Sequence, residues 1–466
     1  MTAPAWVAGK AWSGSAELEV TSPRDGSRVG AVAVPDAAAV EAAVAAAAAV
    51  AGELAGMPAH RRAAALDSVS AGLLRRAEEI AALISAENGK PSVWAAAEVT
   101  RAASTFRWAA EEARRWSGDL QRLDTDVPST GRLALVRRAP RGPVLAITPF
   151  NFPLNLVAHK VAPALAVGAP VVVKPAPATP LTACLLGELL AETDLPAGAW
   201  SVLPVDNDAA AALVRDPRLP VVSFTGSVPV GWGICDAVPR KHVTLELGGN
   251  AAVVVAADYP DLGWAASRVA TFGMYQAGQS CVSVQRVFVA DAVYDDFRDR
   301  LLEEVAGLDD IGPLIDEQAA VRVEAWVEEA VAAGAQLCAG GTRSGTSYAP
   351  TVLEQVPAEA KVLTEEVFGP VLVLERFSRL DDALARVNDS RFGLQAGVFT
   401  RDIAVAFHAS AVLDVGGVVI GDVPSYRADQ MPYGGTKDSG RGREGVLSAM
   451  HDLTEERVLV LTGIEL

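Results

Sequence analysis

The chain has 466 residues, which is enough for two or more domains of about 100–200 residues each. Half of its residues are hydrophobic, and its formal net charge of −17 disfavours nucleic acids and anionic membranes as partners. No run of about 18 strongly apolar residues occurs, so we expect no membrane-spanning helix. The alanine-rich run Val40 to Ala51 reads as a helix former, and no secretory signal is visible at the N-terminus.

The four cysteines are far apart in the sequence and form no CxxC pair, and the chain has five histidines. The wide spacing of the cysteines and the small number of histidines argue against a zinc site or a disulfide framework, so no metal is expected. It favours a reducing compartment, and we expect a cytoplasmic protein. The cysteines are Cys184, Cys235, Cys281 and Cys338.

The opening third of the sequence predicts helices, with few strand signals. They cover Asp36 to Leu54 with Asp36 as the N-cap, Ala59 to Asn88 with Gly89 as the C-cap, and Ser92 to Trp116. Gln121 to Arg138 contains turn residues and alternating apolar residues, which indicates an extended hairpin. A solvated loop is the alternative for that segment.

From Arg141 onward, apolar strands alternate with helices, which is typical of βαβ units and a buried parallel sheet. Ligands bind such sheets at the carboxyl ends of the strands. The predicted strands are Pro143 to Thr148, Pro170 to Lys174, Ala199 to Leu203, Pro220 to Phe224 and His242 to Leu247. A second α/β segment runs from Ala251 to about Gly421, with strands near Ala251 to Val255, Val282 to Ala290, Val371 to Leu374, Ala396 to Phe399 and Gly416 to Ile420.

The C-terminal segment, Arg457 to Ile464, is apolar and strand-like. An exposed apolar edge strand favours aggregation unless another strand pairs with it. We therefore expect oligomer formation through this segment and the predicted hairpin.

Cys281 lies between a turn that contains Gly278 and the predicted strand Val282 to Ala290. A thiol on such a turn can face a cleft, and its backbone N–H can point at a developing oxyanion. The thiolate is the reactive form, so the site must lower its pKa or supply a base. The alternative is that this cysteine is a small buried hydrophobic residue.

Several polar residues sit where predicted strands end. Asn151, in Pro-Phe-Asn-Phe-Pro, presents an amide that suits an oxyanion, or makes an ordinary turn. Lys174 ends a buried strand, where a ribose or phosphate could pair with it, or it extends to solvent. The turn Gly226 to Gly231 offers amides to a pyrophosphate. Glu246 and Glu366 precede tight turns, where a carboxylate acts as a base or a cap.

The order of the motifs gives the strongest indication. PFNFP, VKP, FTGS, LELGG, GQSC, EEVFGP and PYGGTKDSGRGREG follow one another along the chain. This series resembles the aldehyde dehydrogenase superfamily over nearly the whole sequence, and is similar to its lactaldehyde and phosphonoacetaldehyde dehydrogenase branch.

The resemblance implies roles for these residues. Cys281 would attack an aldehyde, Asn151 would hold the oxyanion of the thiohemiacetal, and Glu246 would activate the water that hydrolyses the thioester. The cofactor would be NAD or NADP. The residues implied in binding it are Thr148, Pro149, Phe150, Lys174, Gly226, Ser227, Val230, Glu366 and Phe368.

The resemblance also implies the architecture. A Rossmann-like dinucleotide-binding domain would comprise residues 1–120 and 139–248, and an α/β catalytic domain would comprise residues 249–438. A small β bridging arm would comprise residues 121–138 and 439–466, and would assemble homodimers or homotetramers.

The substrate follows from three positions that, in the similar branch, face an acidic group. Arg107, His159 and Arg427 predict a small aldehyde that carries an anion. The alternative places Arg107 on a helix surface and His159 in the core. Many members have a glutamate where this chain has Pro177, so NADP is expected to be tolerated alongside NAD. Acylating release to coenzyme A and a non-catalytic member of the fold remain alternative functions.

Overall fold

The computed structural model describes residues 2–464. Helices and strands alternate along most of the chain, and the predicted α/β class is confirmed. The α-helices are Ala37–Gly56, Ala59–Arg75, Ala77–Asn88, Ser92–Arg115, Asn155–Val167, Leu181–Ala191, Asn207–Arg215, Val228–Ala237, Leu262–Met274, Tyr294–Ala306, Glu317–Ala332, Lys361–Thr364, Leu380–Asn388, Ile403–Val412 and Val446–Asp452. Short 3-10 turns cover Val127–Ser129, Tyr275–Gly278 and Asp291–Val293.

The predicted helix boundaries are close to the observed ones where a cap defines them. The Asp36 carboxylate accepts the N–H of Ala39, and Gly89 ends its helix in the left-handed conformation at φ 81°. The predicted helix Ala59 to Asn88 is two helices, which meet at Arg76. Ala37–Gly56 is long and apolar enough to cross a membrane, but Ala43, Val44 and Ala47 on it are buried in the core.

The first sheet is mainly parallel and has helices on both faces. Its edge strand Gly440–Arg441 is antiparallel to the neighbouring strand. The strand order is Gly440–Arg441, His242–Glu246, Val221–Thr225, Val144–Ile147, Val171–Lys174, Trp200–Val202, Ala5–Val7 and Lys10–Trp12. Parallel pairing aligns the carboxyl ends of the five strands between His242–Glu246 and Trp200–Val202 at one edge of the sheet.

The second sheet is also mainly parallel. Its strand order is Gln336–Ala339, Thr351–Glu354, Val371–Phe377, Arg286–Ala290, Ala252–Val255, Gln395–Phe399 and Gly417–Ile420. The predicted strand that follows Cys281 begins only at Arg286. Residues 282–285 instead form a loop in which the Ser283 hydroxyl and the Gln285 amide bond to backbone carbonyls.

The predicted hairpin is present, and the solvated-loop alternative is wrong. Asp119–Arg122, Arg132–Pro140 and Thr454–Thr462 form a three-stranded antiparallel sheet, the arm sheet. Part of the segment that the sequence assigned to the arm, residues 439–466, lies on the first sheet instead. Gly440–Arg441 pair with that sheet, and the helix Val446–Asp452 places Val446 and Met450 in its core. The strand of this segment that belongs to the arm sheet is Thr454–Thr462.

The sequence reading missed the strands of the N-terminal segment. Thr2–Ala3, Arg28–Ala33 and Glu17–Thr21 form a three-stranded sheet, and Ala5–Val7 with Lys10–Trp12 extends the first sheet. These strands are short, and several of their residues are exposed, so they lack a clear apolar pattern. Two small ladders pair Arg343–Ser344 with Ser347–Tyr348 and Phe392–Gly393 with Thr436–Lys437.

Candidate active site

A cavity of about 300 Å³ opens at the carboxyl edge of the first sheet, where the chain of the second α/β segment faces it. This cavity is called the cleft below. The three residues predicted to be catalytic, Cys281, Asn151 and Glu246, all line it. The other predicted residues on its walls are Pro149, Phe150, Gly226, Ser227, Glu366, Phe368 and Arg427.

Three of the residues predicted to bind the cofactor lie outside the cleft. Thr148 and Lys174 are buried on neighbouring strand ends, and the N–H of Thr148 donates to the carbonyl of Lys174 at 3.2 Å. Val230 is half-exposed on the helix Val228–Ala237. Their roles remain predictions, for the part of a dinucleotide that extends along the sheet edge away from the cleft.

The prediction that Arg107 faces the substrate is not supported by its position. Its guanidinium is 49% exposed, pairs with Glu111 at 2.7 Å and lies over the Trp108 ring, so it is the helix-surface arginine of the alternative reading. Arg101 of the same helix lines the cleft instead. Six residues at 100° each turn a helix by 240°, so the two arginines point to different sides. No signal in the sequence distinguished Arg101 from Arg107, because only the packing of the helix places Arg101 at the cleft.

His159 is a core residue, as the alternative reading held. Its ring is buried, and its Nε2 lies 3.5 Å from Asp429 Oδ1 and 3.5 Å from Thr105 Oγ1. Burial, helped by the Arg427 guanidinium, lowers the pKa of His159 to about 4. The ring is therefore uncharged at neutral pH and supplies no cation for a substrate.

The loop before Cys281 has an unusual backbone. Gln276, Ala277 and Gly278 all have positive φ, at 41°, 55° and 68°. A Cβ on Gly278 would lie 2.2 Å from the carbonyl oxygen of Gly369, so only glycine fits there. Backbone strain of this kind concentrates at functional sites. Here it brings the loop that carries the thiol against the loop that carries Glu366.

Asn151 is connected to the same loop. Its Nδ2 donates to the carbonyl of Gln279 at 2.9 Å, which leaves its second amide hydrogen free. The backbone carbonyl of Asn151 accepts hydrogen bonds from Gln276 Nε2 at 3.3 Å and from Lys90 Nζ at 2.7 Å. These bonds hold the amide donor at a defined position relative to Cys281.

Lys90 is one half of a buried ion pair that the sequence did not reveal. Its Nζ lies 2.6 Å from Glu98 Oε2, and both side chains are buried. Glu98 Oε1 also accepts the N–H groups of Leu154 and Asn155, at the start of the helix Asn155–Val167. The pair therefore connects the Asn151 loop to two helices.

Glu246 has the environment of a general base. It is buried in the cleft wall, and neither carboxylate oxygen has a hydrogen-bond partner within residues 2–464. Burial raises the pKa of Glu246 well above its usual range, and the Glu444 carboxylate raises it further. Burial would also raise the pKa of Glu444, but Lys160 and Arg427 outweigh it and lower that pKa to about 2. The pKa values of two carboxyl groups in one wall are therefore shifted in opposite directions.

Arg427 lines the cleft beside Glu444. Its side chain is 8% exposed, and its Nη2 donates to Glu444 Oε2 at 3.2 Å. Its Nε–H is buried and has no partner in the part of the chain that the structure describes. The guanidinium lies 3.8 Å over the ring of Tyr433, whose hydroxyl is 3.1 Å from Cys281 Sγ.

The walls that face the nucleophile fit a ring and a sugar. Glu366 accepts the N–H of Gly249 at 3.0 Å, and burial raises its pKa to about 7. Phe368 and Phe150 meet edge to face at 5.9 Å, and together they make an apolar wall. The buried hydroxyls of Thr148 and Thr225 at the sheet edge have no partner within residues 2–464. These unpaired hydroxyls could bond to a polar ligand, so the residues at the sheet edge are compatible with a dinucleotide, and the role of Glu366 at its ribose stays a prediction.

The comparisons with known proteins agree with this geometry. The Aldehyde dehydrogenase family pattern matches residues 6–459. A relative, 3-sulfolactaldehyde dehydrogenase of Priestia aryabhattai, is 43% identical over 399 residues, which cover 84% of this chain and 83% of that protein.

Two solved structures are similar over almost the whole chain. Aldehyde dehydrogenase 21 from Physcomitrella patens in complex with the reaction product succinate has a TM-score of 0.98 and 43% identity, and covers 99% of this chain and 98% of that one. NADP-dependent glyceraldehyde-3-phosphate dehydrogenase from Bacillus halodurans C-125, complexed with NADP, has a TM-score of 0.95 and 33% identity, and covers 99% of both chains. With the family pattern spanning both sheets and the cleft between them, the chain belongs to the aldehyde dehydrogenase family and oxidises aldehydes with NAD or NADP.

Proposed function

We propose that this enzyme oxidises a small aldehyde bearing an anionic group to its free carboxylic acid, and that Arg101 and Arg427 bind the anion. The observation that carries the proposal is that both guanidinium groups line the cavity that holds Cys281. Arginine binds carboxylates and sulfonates through its planar fork of N–H groups. The names of similar proteins support it, since one acts on 3-sulfolactaldehyde and another is bound to succinate.

Each arginine is partly neutralised by a protein carboxylate but keeps free donors. Arg101 Nε and Nη2 lie 3.3 and 3.2 Å from Asp429 Oδ1, and Arg427 bonds to Glu444 through Nη2 alone. Burial lowers the pKa of Arg427, but the Glu444 carboxylate and the Tyr433 side chain outweigh it and raise that pKa. Arg427 therefore stays charged, and its Nη1 donors, which make no hydrogen bond within residues 2–464, are available to an anion.

Cys281, Asn151 and Glu246 divide the chemistry among them. The Cys281 sulfur attacks the carbonyl carbon, and the free Nδ2 hydrogen of Asn151 bonds the oxygen as it gains charge. A bound nicotinamide would supply the hydride acceptor, and loss of the hydride from the thiohemiacetal would leave a thioester on Cys281. Glu246 then takes a proton from water, and the hydroxide releases the acid from the sulfur. Attack on the thioester by coenzyme A needs no such base, so the presence of Glu246 favours hydrolysis over release to coenzyme A.

The anion proposal is tested with Arg101→Gln and, as its matched control, Arg107→Gln from the same helix. The substrates are 4-oxobutanoate, which is anionic, and pentanal, which is neutral. Arg101→Gln should lower kcat/KM for 4-oxobutanoate about 10- to 100-fold, the size of a hydrogen bond to a charged group, and should leave pentanal within about twofold. Arg107→Gln should change neither.

If both variants behave alike, or if Arg101→Gln weakens both substrates equally, Arg101 does not bind the anion. A failure of this kind leaves the dehydrogenase activity itself unaffected. That activity has a separate test in Cys281→Ala, which should lose the burst of reduced cofactor with every aldehyde.

The assembly and the domain division are also part of the proposal. The strand Thr454–Thr462 is an edge of the arm sheet, and Val458, Leu459 and Val460 on it are all more than half exposed. Such an edge favours pairing with a second copy, so we expect a cytoplasmic homodimer or homotetramer. Residues 249–438 would act as the catalytic domain beside the dinucleotide-binding domain, and light scattering would measure the assembly.

A further inference from the structure

We propose that Tyr433 is a catalytic residue, whose phenol hydroxyl donates a hydrogen bond to the Cys281 thiolate both when the sulfur attacks and when it leaves. The proposal rests on the proposed role of Cys281 as the nucleophile. It assigns a chemical function to a tyrosine that otherwise serves as an aromatic wall of the cleft.

The contact itself is direct. Tyr433 Oη lies 3.1 Å from Cys281 Sγ, and no other side chain among residues 2–464 makes a hydrogen bond to that sulfur. Both groups lie in the cleft, where Tyr433, Val282 and Leu394 form an apolar cluster around the thiol. Water is therefore a poor substitute for the hydroxyl as a donor to the sulfur.

The backbone of Tyr433 is held in place from two sides. Its N–H donates to the carbonyl of Glu444 at 2.9 Å, and its carbonyl accepts the N–H of Glu444 at 2.7 Å. The next residue, Gly434, has φ 155°, and a Cβ there would lie 2.8 Å from Glu246 Oε1. The Arg427 guanidinium covers the ring at 3.8 Å. These contacts fix the direction of the hydroxyl before any substrate enters.

The surroundings of Cys281 disfavour its thiolate, which a hydrogen-bond donor stabilises. Burial raises the pKa of the thiol to about 12, and the Glu366 and Glu246 carboxylates add to the increase. The groups that oppose it are the Tyr433 hydroxyl and the Arg427 guanidinium. Burial also raises the pKa of Tyr433 well above its usual range, so the phenol keeps its proton. A protonated phenol beside a thiolate can only donate.

The donor acts twice in one turnover. In the attack, the C–S bond forms, the negative charge moves from sulfur to the carbonyl oxygen, and the Tyr433 bond weakens. In the hydrolysis, the C–S bond breaks, the charge returns to sulfur, and the bond strengthens again. The proton stays on the phenol oxygen throughout. The proton of the Cys281 thiol is lost to water before the attack, and the thiolate is restored when the C–S bond breaks. A hydrogen bond to a charged group is stronger than one between neutral groups.

The test uses Tyr433→Phe, which keeps the ring and its packing against Arg427 and removes only the hydroxyl. The rate at which iodoacetamide alkylates Cys281 is followed by mass spectrometry of its peptide at one pH near neutrality, because only the thiolate reacts. Removing the donor destabilises the thiolate and lowers its fraction at that pH, so alkylation should slow about 10- to 100-fold.

The matched control is Tyr275→Phe. Tyr275 also lines the cleft and is surrounded by Trp94, Phe152 and Phe272, but it makes no hydrogen bond to Sγ. Its alkylation rate should stay at the wild-type value. In the opposite direction, 3-fluorotyrosine at position 433 supplies a more acidic phenol, which should speed alkylation.

An unchanged alkylation rate in Tyr433→Phe, or an equal decrease in Tyr275→Phe, overturns the proposal and leaves the ring as a packing element. Alkylation needs neither aldehyde nor cofactor, so this result is independent of turnover. The burst measurement on Cys281→Ala decides separately whether Cys281 is the nucleophile.

Discussion

Replacing Lys90 by methionine should lower the free energy of unfolding by about 3–5 kcal/mol, because it leaves a charge buried without its partner. Lys90 and Glu98 side chains are 0% and 1% exposed, and their atoms are 2.6 Å apart. In the variant, the Glu98 carboxylate keeps only the N–H groups of Leu154 and Asn155. The Asn151 carbonyl also loses its 2.7 Å bond to Lys90, so turnover should fall as well.

The chain offers a matched control for the effect of burial. Lys361 Nζ lies 2.7 Å from Glu329 Oε2, almost the same distance, but these side chains are 48% and 52% exposed. An exposed ion pair contributes about 0–1 kcal/mol, so Lys361→Met should cost less than about 1 kcal/mol. Both variants replace the lysine of an ion pair by methionine, and they differ in how deeply that ion pair is buried.

Urea unfolding at one fixed protein concentration, followed by tryptophan fluorescence, gives the midpoint and the slope for each variant. Equal losses of unfolding free energy in Lys90→Met and Lys361→Met would refute the reasoning, since burial would then not decide the cost. The double variant Lys90→Met with Glu98→Gln should recover part of the loss, because a neutral amide is cheaper to bury than an unpaired carboxylate.

The remaining predictions concern turnover and the cofactor. In Glu246→Gln the burst of reduced cofactor should persist while steady-state turnover falls about 10²–10⁴-fold, and undiminished turnover would remove its role as base. In the wild type, turnover should rise with pH through the raised pKa of Glu246, because only the ionised carboxylate accepts a proton from water; a flat profile from about pH 5 to about pH 8 contradicts this. Pro177→Glu should lower kcat/KM for NADP relative to NAD about tenfold or more, by repulsion of the 2′-phosphate, and an unchanged ratio would place that phosphate elsewhere.

The candidate catalytic residues were predictable because each lies next to a strand end or in a tight turn with a short, specific motif. Asn151 follows the strand Val144–Ile147, and Glu246 ends His242–Glu246. Parallel pairing of these strands with Val221–Thr225 between them brings both residues to one edge. Alternating apolar strands and helices are sufficient to predict that edge from the sequence.

The substrate residues were harder to predict, because a helix presents a different side at every residue. Arg101 and Arg107 are chemically equivalent on one helix, and only the packing of that helix decides which of them enters the cleft. His159 shows the same limit, since burial makes it neutral and no local pattern reveals its depth. The short N-terminal strands were missed for a related reason. Their own residues lack a clear apolar pattern, and they form strands because they pair with other strands.

The sequence alone determined the family, the α/β alternation and the three residues proposed as nucleophile, amide and base, because these depend on local motifs and on the order of elements. Only the tertiary structure decided which cations and donors surround the sulfur. Lys90 reaches Glu98 nearby, but Tyr433 meets Cys281 from more than a hundred positions away in the chain. Contacts of that kind depend on how the packed helices and strands meet. The residue types in a local stretch of sequence, and their spacing, do not determine that packing.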